Sequence, residues 1–138
     1  MNAPLYTTEI LRLAASLSDP RELEDADGRA ELRSPTCGSR ITTTVTLDEE
    51  GRVVSLGQQV HACAFGQASA ALLERGAAGR SSEDVGRALA DLGAWLDGAE
   101  TEPGLGLTAL APARSRRSRH GAILLPFRAL LAAMDSAK

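Results

Sequence analysis

Residues 40–60 read RITTTVTLDEEGRVVSLGQQV, and this stretch sets the architecture of the chain. Apolar residues and threonines alternate with period two over 40–47, which predicts a strand carrying β-branched residues on both faces. The segment 48–51 is short and ends in glycine, as hairpin loops do, and a second run of strand formers fills 52–60. These features predict an antiparallel hairpin, and residues 29–33 supply a third strand candidate.

Helical patterns flank the predicted strands on both sides. The first follows Thr7 or Thr8 as a cap and is closed by Pro20; the second runs from after Cys63 to near Gly76. A third begins at residues 81–84 and ends near 98, and a last one spans about 121–134, while the stretch 99–118 is a long connection that is either functional or mobile. We therefore predict a single α+β domain over 1–138, with a small three-stranded antiparallel sheet covered by helices.

Composition and charge exclude several classes of protein. Fifteen basic against eighteen acidic residues give a net charge of −3, which argues against a sequence-independent grip on nucleic acid. No stretch reaches the roughly 20 apolar residues of a membrane span, and residues 1–4 lack the features of a signal peptide. These observations predict a cytoplasmic protein, in which two cysteines are free thiols or metal ligands and not a disulfide.

Both cysteines lie at boundaries of predicted structure. Cys37 follows a proline in the turn before the strand 40–47, and Cys63 lies where the strand pattern gives way to small, helix-compatible residues. Such positions display a side chain and do not bury it, so we predict two thiols available for chemistry. The alternative is that they are small apolar fillers, since free cysteine is often buried.

The ordered set of these features resembles the U-type iron–sulfur cluster scaffold family, the proteins related to the N-terminal domain of NifU. The resemblance covers most of the chain. It rests on five segments: Tyr6 with Ile10 and Pro20, Pro35-Thr36-Cys37-Gly38, Cys63 followed by Ala68-Ser69, Gly79-Arg80-Ser81, and Ile123-Leu124 with Ala129-Leu130.

Two positions depart from the family pattern. Ser39 stands where the family usually carries Asp, and Gly121 or Ala122 stands where it carries a third cysteine. His120 immediately precedes that place and offers an imidazole nitrogen. The resemblance therefore implies Cys37 and Cys63 as ligands, and we predict His120 as the third, which makes a set of soft donors suited to zinc or to iron–sulfur iron.

The fourth donor stays open between water, Ser39, a partner's thiol and His61. His61 precedes Cys63 by two residues on a predicted strand, so the two side chains would point to the same face. We favour a half-buried strand residue over a ligand for His61. A cluster of arginines at 114, 116, 117 and 119 could steer an acidic partner or attract a polyanion, but four charges in an arginine-rich chain do not outweigh the reading of a solvated loop.

The resemblance implies a carrier and not an enzyme. Sulfur from a cysteine desulfurase and iron would combine on the cysteines as a transient iron–sulfur cluster, which then passes to recipient apo-proteins. One alternative is a zinc-containing sulfur acceptor that relays persulfide from the desulfurase, and another is a diverged partner-binding module without metal. A thiol protease ranks last, because no feature supplies an oxyanion site.

Overall fold

The computed structural model describes residues 6–35 and 38–137. Four α-helices, one 3₁₀ helix and three strands appear in this part of the chain. Their order is α1 (Thr8–Ala15), β1 (Gly28–Arg33), β2 (Arg40–Leu47), β3 (Val53–His61), α2 (Ala64–Gly76), α3 (Ser82–Leu96), the 3₁₀ helix (Leu107–Ser115) and α4 (Arg117–Ser136). The predicted α+β class with a helix-covered antiparallel sheet is confirmed.

The strands form one antiparallel sheet in the order β1-β2-β3. The hairpin predicted over 40–60 is present, with Arg40 opposite His61 at one end and Leu47 opposite Val53 at the other. Residues 41–45 are all buried, so both faces of β2 are covered. This explains the β-branched residues on both faces, because a strand that is covered on both sides needs side chains that pack in both directions.

Different parts of the chain cover the two faces of the sheet. Ile41 packs with Leu125 and Ala129 of α4 on the helical side. On the other side the Leu23 amide donates to Thr44 Oγ1 at 3.0 Å, which fixes the segment after α1 over the sheet. The sheet is thereby sandwiched between a helical layer and an ordered connection.

The helical layer is held by α2 and α4, which pack closely. A Cβ placed on Gly66 would lie 3.3 Å from the Ala122 Cβ, so the two helices touch through small residues near their first turns. Further along, the Ser69 hydroxyl donates to the Ile123 carbonyl at 2.6 Å. The few aromatic residues of the chain contribute to this core, since Phe65, Phe127 and Trp95 are all buried.

The region 99–118 is more ordered than its sequence predicts. A 3₁₀ helix occupies 107–115, and α4 begins at Arg117, four residues before the predicted start. Arg114 holds this region in place: its Nε and Nη2 donate to the carbonyls of Trp95 and Ala99, each at 2.9 Å, and its guanidinium lies 4.9 Å above the Trp95 ring. Arg114 therefore has a structural role and does not belong to a solvated loop.

No helix in the described part of the chain is long and apolar enough to cross a membrane.

Candidate functional site

The loop between β1 and β2 carries the first predicted thiol. Its ends are joined by a hydrogen bond from the Ser34 amide to the Ser39 carbonyl at 2.8 Å, and the Gly38 amide donates to the Ser34 carbonyl at 3.2 Å. Gly38 has a φ of +71°, which glycine adopts without strain. Cys37 itself lies outside the described residues, so the structure gives the positions of the two ends of its loop and nothing of Cys37.

Cys63 lies at the same end of the sheet as this loop. Arg40 opens β2 directly after the loop and is paired with His61, two residues before Cys63. Cys63 is the N-cap residue of α2, with an extended backbone (φ −66°, ψ 174°), a half-buried side chain and no capping hydrogen bond from its sulfur. The predicted strand-to-helix boundary at Cys63 is thus confirmed, and its thiol is free.

The first turns of α4 meet the same end of the molecule. Ala122 faces Gly66 across the α2–α4 contact, and Gly66 is three residues after Cys63. The fold therefore brings together the ends of the loop 34–39, Cys63 and Ala122, which is one of the two positions predicted for the family's third cysteine. We call this region the cysteine end.

His120 is held by the backbone that precedes its helix. Its Nε2 lies 2.9 Å from the Ala113 carbonyl oxygen and 3.2 Å from that of Arg114. Carbonyl oxygens only accept hydrogen bonds, so Nε2 carries hydrogen and the unshared electron pair of the neutral ring lies on Nδ1. A histidine that binds metal through one nitrogen commonly donates the other to a backbone carbonyl in this way.

The direction in which the His120 side chain points argues against its being a metal ligand at the cysteine end. His120 and Ala122 are two positions apart on α4, which places them about 200° apart around the helix axis. Ala122 faces α2, whereas His120 faces the 3₁₀ helix. The ring accordingly links the 3₁₀ helix to α4, a role that needs no metal and that the sequence pattern did not predict.

His61 and Ser39 have separate surroundings. His61 is exposed, not half-buried as predicted, and it is the last residue of β3, so the period-two argument does not carry on to Cys63, which lies beyond the strand. Ser39 is only 4% exposed, so its hydroxyl is not displayed to solvent. Within residues 6–35 and 38–137, no three His, Cys, Asp or Glu side chains gather closely enough to hold a metal ion.

Comparison with solved structures identifies the fold. The N-terminal part of a nitrogen-fixing NifU-like protein from Brucella abortus superposes with a TM-score of 0.87 at 26% identity, covering 96% of this chain and 94% of that one. A candidate iron–sulfur cluster assembly scaffold for the SUF system, from Fervidobacterium islandicum AW-1, gives 0.84 at 19% identity, covering 94% and 96%. A hypothetical protein gives 0.77 at 22% identity, covering 92% and 97%.

The sequence itself matches no protein-family model and no curated protein. The structural likeness nevertheless spans nearly the whole of both chains. The resemblance to the U-type, NifU N-terminal-like scaffolds that the sequence predicted is therefore confirmed.

Proposed function

We propose that this U-type chain, acting as one NifU N-terminal-like domain in the cytoplasm, carries sulfur and iron on Cys37 and Cys63 as an intermediate of iron–sulfur cluster assembly. The observation that carries the proposal is the half-buried Cys63 thiol, which makes no capping hydrogen bond and lies beside the ends of the loop that bears Cys37. Its partners would be a cysteine desulfurase and recipient apo-proteins.

Sulfur acceptance on such a thiol needs no group beyond the two proteins. The acceptor thiolate attacks the terminal sulfur of the desulfurase's cysteine persulfide, the donor S–S bond breaks, and the donor cysteine leaves as a thiolate. The acceptor then holds the persulfide. Cys63 suits this step because its side chain is only half-buried and makes no capping hydrogen bond at the start of α2.

The third protein donor is proposed to be His120, through Nδ1. The two carbonyls that hold Nε2 support this assignment, because they leave Nδ1 free. The side of α4 on which His120 lies favours a structural role instead, in which the ring links the 3₁₀ helix to α4. In that case the protein would supply two thiolates, and the remaining donors would come from water or a partner. With three donors and one open position the site would bind zinc or exchange a cluster.

Anaerobic purification with iron, zinc and labile sulfide measured together tests the proposal. Iron and sulfide in equal amounts support the scaffold, and zinc without sulfide supports the alternative of a zinc-containing sulfur relay. The absence of all three, together with failed reconstitution from iron and inorganic sulfide, would leave the diverged partner-binding module. Cys63→Ser is expected to lose metal or cluster while keeping its thermal unfolding temperature, because the sulfur makes no capping bond.

A pair of histidine variants tests the third donor. His120→Ala should weaken zinc binding at least tenfold if Nδ1 is a ligand, and His61→Ala, at an exposed position of the same end, is the matched control. Competition with a chromophoric chelator measures both. Equal affinity of the two variants and the wild type would reduce the ligand set to the cysteines.

A further inference from the structure

The backbone carbonyl of Ala62 lies between the hydrogen-bond ladder of the sheet and that of α2. Strand β3 ends at His61, so its pairing with β2 stops one residue before Ala62. The first backbone hydrogen bond of the helix goes to the next carbonyl, because the Gln67 amide donates to the Cys63 oxygen at 3.0 Å. Within residues 6–35 and 38–137, the Ala62 carbonyl therefore accepts no backbone N–H.

The side chain of Gln67 supplies the donor that this carbonyl needs. Its Nε2 donates to the Ala62 oxygen at 3.0 Å, five residues back along the chain. Both residues are half-buried, and a carbonyl that is sheltered from water and left without a donor costs free energy. A side chain from the fourth residue of α2 thus joins the helix to the end of β3.

This hydrogen bond fixes the peptide unit that leads into Cys63. The Ala62 carbonyl and the Cys63 amide belong to one planar group, so holding the oxygen sets the plane from which the Cys63 side chain projects. Ala62 also packs against Gly66, where an added Cβ would lie 2.7 Å from the Ala62 Cβ. The corner before the thiol is therefore held by a hydrogen bond and by a close contact, although the sulfur itself makes no capping bond.

We propose that Gln67 is a positioning residue for the Cys63 thiol. The inference rests on the proposed function, in which the Cys63 thiolate attacks the terminal sulfur of a cysteine persulfide, the donor S–S bond breaks and the donor cysteine leaves as a thiolate. The rate of such a transfer depends on the direction from which the thiolate approaches as well as on its distance. Gln67 acts on that direction through the peptide that it holds.

A purely stabilising role for the Gln67 hydrogen bond is the alternative. In that case its loss would lower the unfolding temperature and leave the relative rates of different reactions at Cys63 unchanged. The positioning role predicts a loss confined to a reaction that requires one direction of approach. A small electrophile reaches a half-buried sulfur from several directions, so its rate should change little.

The test variant is Gln67→Met, which keeps the length of the side chain and removes the N–H donor. Gln67→Glu is a second variant, since at neutral pH a carboxylate only accepts hydrogen bonds. The matched control is Gln59→Met in β3. Gln59 is also half-buried, and its side chain makes no hydrogen bond within the part of the chain that the structure describes.

Two rates at Cys63 are compared by mass spectrometry of its peptide. One is persulfide formation with a saturating amount of purified cysteine desulfurase and its cysteine substrate, and the other is alkylation by iodoacetamide. The ratio of the two rates cancels any change in the thiolate fraction, because the thiolate is the nucleophile in both reactions. We expect this ratio to fall at least about tenfold in both Gln67 variants and less than about twofold in Gln59→Met. An unchanged ratio in the Gln67 variants, or an equal fall in the control, would overturn the proposal.

Nitrogen-15 relaxation at the Cys63 amide separates this proposal from the proposed function. We expect an order parameter of about 0.85 in the wild type and in Gln59→Met, and a value below about 0.6 in Gln67→Met. A wild type that accepts no sulfur but shows this loss of order in Gln67→Met would reject the carrier and keep Gln67 as the residue that positions Cys63. Sulfur acceptance with an order parameter and a rate ratio that both ignore Gln67→Met would keep the carrier and reject the positioning role.

Discussion

The two ends of the sheet satisfy their polar groups differently. At the end of the sheet formed by the β2–β3 turn, which we call the turn end, Asp48 Oδ1 accepts hydrogen bonds from the amides of Glu50 and Arg52, each at 2.9 Å. Here α3 begins with a reciprocal capping box between Ser81 and Asp84. At the cysteine end, α2 and α4 begin at Cys63 and Arg116 without a side-chain cap. This chain therefore concentrates its local stabilisation away from the thiol.

The largest expected effect comes from restoring the family's carboxylate at the cysteine end. Ser39→Asp puts a charge at a position only 4% exposed, so the metal-free protein should lose roughly 3 kcal/mol of unfolding free energy. Zinc should recover most of that loss if the introduced carboxylate joins the ligands, since a carboxylate is a better ligand than a hydroxyl.

Denaturant unfolding with and without zinc measures both quantities. Ser39→Asn is the uncharged control of similar size. A zinc-induced gain no larger than that of Ser39→Asn would place position 39 outside the ligand set.

A smaller effect is expected where α2 and α4 touch beside Cys63. Gly66→Ala puts a Cβ 2.7 Å from the Ala62 Cβ and 3.2 Å from the Ala122 carbonyl oxygen, so Ala62 must shift and the contact between α2 and α4 must loosen, at a cost of roughly 1–3 kcal/mol. Gly86→Ala in α3 is the control, because nothing lies within 4 Å of its new Cβ, and it should gain up to about 1 kcal/mol. Thermal unfolding of both variants checks the sign, and a neutral Gly66→Ala would mean that the contact yields without cost.

The cap at the turn end predicts a loss of about 1 kcal/mol for Ser81→Ala. The Ser81 hydroxyl accepts from the Asp84 amide at 3.1 Å, and the Ser81 amide donates to the Asp84 carboxylate at 3.0 Å. Ser82→Ala is the neighbouring control, since that hydroxyl has no hydrogen bond within the described residues. Equal urea midpoints for the two variants would contradict a stabilising cap.

The smallest expected effect is a dependence on pH at the same cap. Hydrogen bonds from the Ser81 amide and hydroxyl lower the pKa of Asp84 from its ordinary value of 3.8. A lowered folded-state pKa means that the contribution is complete above the ordinary value and is lost as the pH falls through the lowered one. The stability difference between the wild type and Asp84→Asn should therefore shrink as the pH falls from ~5 to ~2, and a constant difference over this range would contradict the assignment.

Most of the fold could be predicted from local pattern. The alternation over 40–47 defines a strand, and Ser81 with Asp84 defines a helix start, because both signals lie within a few residues of the structure they specify. The start of α4 could not be found in this way. Residues 114–119 are polar and basic, and the carbonyl and ring contacts that fix Arg114 come from residues far back in the chain.

In the candidate site, too, local features could be predicted from the sequence and features that depend on distant parts of the chain could not. The boundary position of Cys63 is local and was predicted correctly. His120 donates to the carbonyls of Ala113 and Arg114 only because the 3₁₀ helix folds back against α4. No sequence motif around His120 predicts that arrangement.

Helix α4 joins the two ends, and its supports differ. Near its C-terminus the β1 backbone approaches so closely that a Cβ on Gly28 would overlap the Ala133 carbonyl, and the Arg29 amide donates to Ser136 Oγ at 3.0 Å. Near its N-terminus the His120 ring holds it against the 3₁₀ helix. Helix α4 is about 30 Å long. It is held by the backbone of β1 near its C-terminus and by the single His120 ring near its N-terminus. The same His120 ring carries the nitrogen that is the proposed donor. Loading and release of the metal or cluster would therefore change how firmly the N-terminal end of α4 is held, while the C-terminal end would stay fixed against β1.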